Sequence, residues 1–277
     1  MRFKMQDFGE ASTILGIRIQ RDIKHGLLTL DQSKYAKAIL QRFCMEACKG
    51  VSIPLSPTTH CSKEQSPTSD EDKEFMKTIP YRQVVGSLMY LMVSTRPDLA
   101  DHVQILSRYG SYPGVTHWKG VKKVLQYVQH TLDYGLVFRR GVGTSLEAYC
   151  DADFSSCLDT SRSNGGYVFL LGGAAISWSS KRQSVVAQST CEAEYMTMNQ
   201  AAREAIWASQ LLDELGYPQC PVTIYSDSES AISLSKNAVI GPKSKHIKRQ
   251  EHFIRDCLKE DDIVVKYVNT IAKSQMR

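Results

Sequence analysis

The 277-residue chain carries 34 Lys and Arg against 29 Asp and Glu, a formal charge of +5, with 42% hydrophobic and 23% charged residues. That composition fits a soluble globular protein with material for one large or two ordinary domains, and its mild basic excess is too small by itself to argue nucleic-acid binding. No apolar run approaches the ~20 residues needed to span a bilayer, and residues 1–10 lack the apolar centre of a signal peptide, so an intracellular protein of the cytoplasm or nucleus, away from membranes, is expected.

In chain order, strands are expected over 13–19 and 27–30 and a helix over 32–43. Residues 56–80 are rich in Ser, Pro, Thr and charge without an apolar period, which predicts a solvated linker. Residues 81–134 read as three helices. Their first apolar stripe is Tyr81, Val84, Val85, Leu88 and Met89, and the breaks fall at Arg96-Pro97 and Pro113-Gly114. Lys119, Lys122, Lys123, His130, Arg139 and Arg140 fit either a track for phosphates or a solvated helix face. The eight cysteines are scattered through expected strands and helices and read as reduced thiols. Cys44, Cys48, His60 and Cys61 lack the paired short spacing of a zinc site.

From residue 141 the pattern changes to strands. Leu146, Ala148 and Cys150 alternate with Glu147 and Tyr149, a strand that gives way to a loop at Asp151. Strands over 166–171 and 174–180 flank the turn signal Gly172-Gly173. A helix over 190–215 follows, capped by Ser189 or Thr190 and stopped by Gly216 and Pro218. Glu194 shares a stripe with Met198, Ala201, Ala205 and Ala208 and is expected to face the sheet; Glu192, aligned with Asn199 and Arg203, is expected to face water. A fourth strand over 222–225 ends at Ser226-Asp227, and a fifth is expected over 263–268. If the fourth strand lies parallel beside the first, with the long helix as crossover, Asp151 and Asp227 emerge together at the strands' carboxyl ends. Each acid also has an ordinary reading. Asp151 and Asp153 share a face, so spacing does not choose between them. Glu194 suits a first helical turn, and Ser226-x-x-Glu229 suits a capping box.

Six ordered motifs carry a resemblance: Tyr149-Cys-Asp-Ala-Asp-Phe154, Gly166-Tyr-Val-Phe169, Ile176-Ser-Trp-Ser-Ser-Lys-Arg-Gln183, Ser189-Thr-Cys-Glu-Ala-Glu-Tyr195, Tyr225-Ser-Asp-Ser-Glu-Ser-Ala231 and Lys245-His-Ile247. Together they resemble the ribonuclease H domain of copia-type LTR retrotransposon Pol polyproteins. Upstream, Met5-Gln-Asp-Phe-Gly-Glu10, Leu15-Gly-Ile17 and Asp31-Gln-Ser-Lys-Tyr35 resemble the end of that family's reverse transcriptase. Val85-Gly-Ser-Leu-Met-Tyr90 and Ser94-Thr-Arg-Pro-Asp98 resemble its thumb and connection.

The resemblance implies an α/β fold, a ribonuclease H-like mixed sheet with flanking helices over 141–277. It also implies a smaller α+β and helical thumb-connection remnant before it, divided as 1–55, a linker over 56–80, and 81–140. It implies cleavage of the RNA strand of an RNA–DNA hybrid with two Mg²⁺ ions, Mn²⁺ being possible, held by Asp151, Glu194 and Asp227. Lys181, Arg182, Gln183, Lys245, His246, Lys248 and Arg249 would lie along the nucleic acid; for the basic run over 243–255 a solvated amphipathic helix remains open. In the family the polymerase aspartates lie upstream of residue 1, so no polymerase activity is expected, and upstream Pol segments would be partners in an intact element. A fourth carboxylate is due shortly after the last strand, in a Leu-Ala-Asp-like context, where this sequence stops at Arg277. Weak turnover is therefore expected, the alternative being a non-catalytic remnant that folds and at most binds nucleic acid.

Overall fold

The computed structural model describes residues 6–7, 9–55, 61–236 and 253–269. Strands β1 (Thr13–Ile14), β2 (Ile17–Asp22) and β3 (Leu27–Asp31) form an antiparallel sheet, to which a later strand, β4 (Gly135–Arg139), adds beside β3 with Thr29 facing Val137. β4 was not among the expected strands, and it ties the N-terminal segment to the helical one. Helix α1 (Ser33–Arg42) buries Ala36, Ile39 and Leu40 in one core with residues of the three later helices that pack beside it. The first and third expected segments therefore share a single hydrophobic interior.

The described part of the expected linker, residues 61–80, is largely folded, which corrects that reading there. Residues Lys63–Gln65 form a 3₁₀ turn, and α2 spans Asp70–Thr78. Ser69 Oγ accepts from Asp72 N at 3.1 Å, and Asp70, Glu71 and Asp72 lie at the positive end of the helix, so a cap and a dipole do what apolar periodicity does not. Only Met76 of this helix is buried, which is why the segment reads as solvated. Three helices follow: α3 (Tyr81–Ser94), α4 (Ala100–Ser107) and α5 (Val115–His130). Buried His117 on α5 holds the turn. Its Nδ1 accepts from Gly114 N at 2.9 Å, leaving Nε2 to donate to Ser62 O at 3.0 Å, and its ring stacks on Tyr109 with centroids 4.0 Å apart.

The second sheet comprises β5 (Glu147–Asp153), β6 (Asn164–Leu171), β7 (Ala174–Arg182), β8 (Val222–Ser226) and β9 (Ile263–Tyr267), in the order β7-β6-β5-β8-β9. The first three form an antiparallel meander, and β8 and β9 continue it in parallel. Helix α6 (Thr190–Glu214) is the crossover from β7 to β8. With α7 (Glu229–Lys236) and α8 (Phe253–Lys259) it shares a core built from Ala201, Ala205, Ala231 and Ile254 against Ala148, Cys150, Ile224 and Val265. This is the expected mixed sheet with flanking helices. Val168, Leu170 and Trp178 of the meander meet Leu30, Leu136 and Phe138 of the first sheet. Polar contacts reinforce that seam: Trp178 Nε1 donates to Met92 O at 2.9 Å and Arg108 Nη2 to Asn164 Oδ1 at 2.6 Å. Among the described residues, no helix is long and apolar enough to cross a membrane.

Candidate metal centre

Asp151 lies within β5, opposite Gly166 of β6, rather than where the strand ends, because the β5–β6 ladder continues through Asp153 and Asn164. Across the parallel ladder Tyr149 faces Tyr225, their rings stacked 4.9 Å apart. Asp227 is the first residue beyond β8. Ser228 caps the helix that follows, its Oγ accepting from Ala231 N at 3.3 Å and its carbonyl from Ile232 N at 3.0 Å. The ordinary reading through a Ser226–Glu229 capping box is thereby displaced by two residues.

Glu194 enters from the first turns of α6. Ser189 Oγ accepts from Glu192 N at 3.2 Å, and Glu192 Oε2 accepts from Gln188 N at 2.7 Å, a reciprocal cap that fixes where the helix starts. Glu192 is consequently buried, not water-facing as its helical stripe predicts, since the chain leading into the helix folds over it. Glu194 is also buried, and its Oε1 accepts from Ala152 N at 3.2 Å, which aims the carboxylate at β5 beside Asp151.

Carboxylate oxygens of Asp151, Glu194 and Asp227 all lie within 4.8 Å of one another. Three like charges so placed repel unless a cation or protons neutralise them, and an all-oxygen donor set is the chemistry that hard Mg²⁺ or Mn²⁺ takes. The donors present therefore fit a divalent ion. The site opens into a cavity of about 630 Å³ lined by Glu194, Asp227, Thr190, Ser228, Ser230 and Tyr267. Asp261 and Asp262 stand at the opposite end of the sheet, where Val222 N donates to Asp262 O at 3.0 Å.

The residues expected along a nucleic acid divide. Lys181 is exposed at the end of β7. Arg182 is half-buried and donates from Nη1 to Cys157 Sγ at 3.4 Å, while Thr160 Oγ1 donates to the same sulfur at 3.2 Å. Burial pushes the Cys157 thiol up, but these two hydrogen bonds and the charge of Arg108 outweigh it and bring the thiol down to about 7. Gln183 is corrected as a nucleic-acid contact: it is 1% exposed, and its Nε2 donates inward to Ala193 O at 2.8 Å and Thr197 Oγ1 at 3.1 Å. Lys245, His246, Lys248 and Arg249 lie outside the described residues. Gly165 was missed: a side-chain carbon there would come within 2.4 Å of Thr197 Oγ1, so glycine lets the helix descend onto the sheet. The Gly165-Gly166 pair inside a strand was the available signal.

No family model matches the chain. The retrovirus-related Pol polyprotein from transposon TNT 1-94 of Nicotiana tabacum is 42% identical over 268 residues, covering 97% of this chain and 20% of that protein. The corresponding polyprotein from transposon RE2 of Arabidopsis thaliana is 36% identical over 270 residues, covering 97% and 18%. The chain belongs to the copia-type retrotransposon Pol polyproteins. This copia-type chain spans about a fifth of the length of those curated relatives. Among solved structures, LC11-RNase H1 in complex with an RNA/DNA hybrid aligns at 16% identity over 47% of this chain and 90% of that one, with a TM-score of 0.35.

Proposed function

We propose that this chain is a hybrid-directed ribonuclease that cleaves the RNA strand of an RNA–DNA duplex at the Asp151, Glu194 and Asp227 centre, with residues 141–277 as the nuclease unit and 1–140 as its support. The observation that carries the reading is the convergence of three carboxylates from three separate elements within 4.8 Å. Divalent ions, when bound, would neutralise charge at the attacked phosphate and lower the pKa of a water. The protein's own part is positioning. The β5–β8 ladder sets in register the two strands that carry the aspartates, and the hydrogen bond from Ala152 N turns the Glu194 carboxylate toward β5. The three carboxylates supply an all-oxygen donor set for a divalent ion. Exposed Lys181 would meet phosphates, and the hybrid would be told from DNA through its 2′-hydroxyls.

The test is a cleavage assay on a hybrid labelled in the RNA strand, with Mg²⁺ and with Mn²⁺. RNA is expected to be cut and duplex DNA spared. Asp227→Asn should lose at least about a hundredfold in rate, roughly 2.7 kcal/mol of barrier. Equal rates for wild type and Asp227→Asn would remove the site from the reaction.

A further inference from the structure

We infer that Gln183 is a positioning residue for Glu194, an assignment that rests on the nuclease reading above. Gln183 follows β7 directly, and its own N–H is fixed by Ser163 O at 2.8 Å, so its backbone cannot drift. Its side chain is buried. From there Nε2 reaches Ala193 O, the carbonyl just before Glu194, at 2.8 Å and Thr197 Oγ1 at 3.1 Å, while Thr197 Oγ1 donates to the same carbonyl at 3.0 Å. Three polar atoms thus close a ring around the first turns of α6. Gly165 on β6 admits Thr197 from below, and Ala152 N on β5 receives the Glu194 carboxylate. The helix end is tied to β5, β6 and β7 at once, and rotation about its axis would carry Glu194 away from Asp151.

The residue type matters. A glutamine donor satisfies the Ala193 carbonyl, whereas a glutamate of the same shape would set an anion against it. A side chain committed inward also has no reach to a nucleic acid in solvent.

The experiment uses Gln183→Ala, Gln183→Glu and Thr197→Val in the full chain. It measures Mn²⁺ affinity by calorimetry, RNA–DNA hybrid affinity in chelator, and amide exchange over residues 193–198. Each variant is expected to weaken Mn²⁺ binding about tenfold and speed exchange there about tenfold, as loss of a buried hydrogen bond requires, with metal-free hybrid affinity unchanged. Unchanged Mn²⁺ affinity with weakened metal-free hybrid binding would overturn the assignment in favour of a direct contact. Wild-type behaviour of Gln183→Glu would overturn it in favour of space filling. If Gln183→Ala fails to fold, Thr197→Val keeps the packing and drops the hydroxyl; unaltered exchange and Mn²⁺ affinity in that variant would overturn the clamp. If wild type itself binds no Mn²⁺, the nuclease reading fails separately, and unchanged exchange in the variants would then overturn the clamp on its own.

Discussion

Asp151 and Asp227 stand level: each lies two residues beyond one of a pair, Tyr149 and Tyr225, that face each other across the parallel β5–β8 ladder with stacked rings. The parallel register has a physical consequence. A slip of one residue on either strand would turn one aspartate to the other face of the sheet and separate the carboxylates. The tyrosine stack and the buried Ala148 and Ile224 on the opposite face oppose that slip, so the register that builds the core also builds the site.

Gly165→Ala should destabilise the fold by about 1–3 kcal/mol, because the added carbon would meet Thr197 Oγ1 at 2.4 Å and the helix would have to lift. Gly86→Ala on α3 is the control. Nothing lies within 4 Å of a carbon added there, and relief of glycine's backbone entropy should stabilise by about 0.5–1 kcal/mol. Urea midpoints of the two variants should move in opposite directions.

Glu192→Ala removes the acceptor of Gln188 N at the start of α6 and should cost about 1 kcal/mol, whereas Glu192→Gln keeps an acceptor and should cost less. Equal losses in thermal melts of the two variants would show that charge, not the cap, is what Glu192 contributes.

Cys157 gives a pH signature. With the thiol held at about 7 in the folded chain, against an ordinary value of about 8.5, the folded state loses its proton first. Stability from this group is therefore fully present above about pH 8.5 and is lost as pH falls through 7. Denaturation midpoints of wild type should rise between pH 7 and 8.5 relative to Cys157→Ser. Parallel curves would refute the shift.

The second sheet was legible because its signals are local. Alternation marks β5, the Gly172-Gly173 turn joins β6 to β7, and Ser189 with Gly216 bounds α6. The positions that went unread depend on what comes from elsewhere in the chain. β4 is a short run whose strand character comes from pairing with β3, more than a hundred residues earlier. Glu192 is buried by the segment before its helix, which a helical wheel cannot represent. Gln183 looks like one more polar residue after Lys181 and Arg182; only the approach of α6 turns its amide inward. At the site, the sequence places three acids on three elements, and the ladder register is what makes them converge.

The most direct test of the metal centre is calorimetric titration of the chain with Mn²⁺, alongside Asp151→Asn and Asp227→Asn. Repulsion among the carboxylates is relieved by a cation or by removing a charge. Both variants should therefore bind Mn²⁺ at least about tenfold more weakly, about 1.4 kcal/mol, and melt no lower than wild type without metal. Mn²⁺ affinity equal to wild type in both variants would contradict the assignment of Asp151, Glu194 and Asp227 as a metal centre.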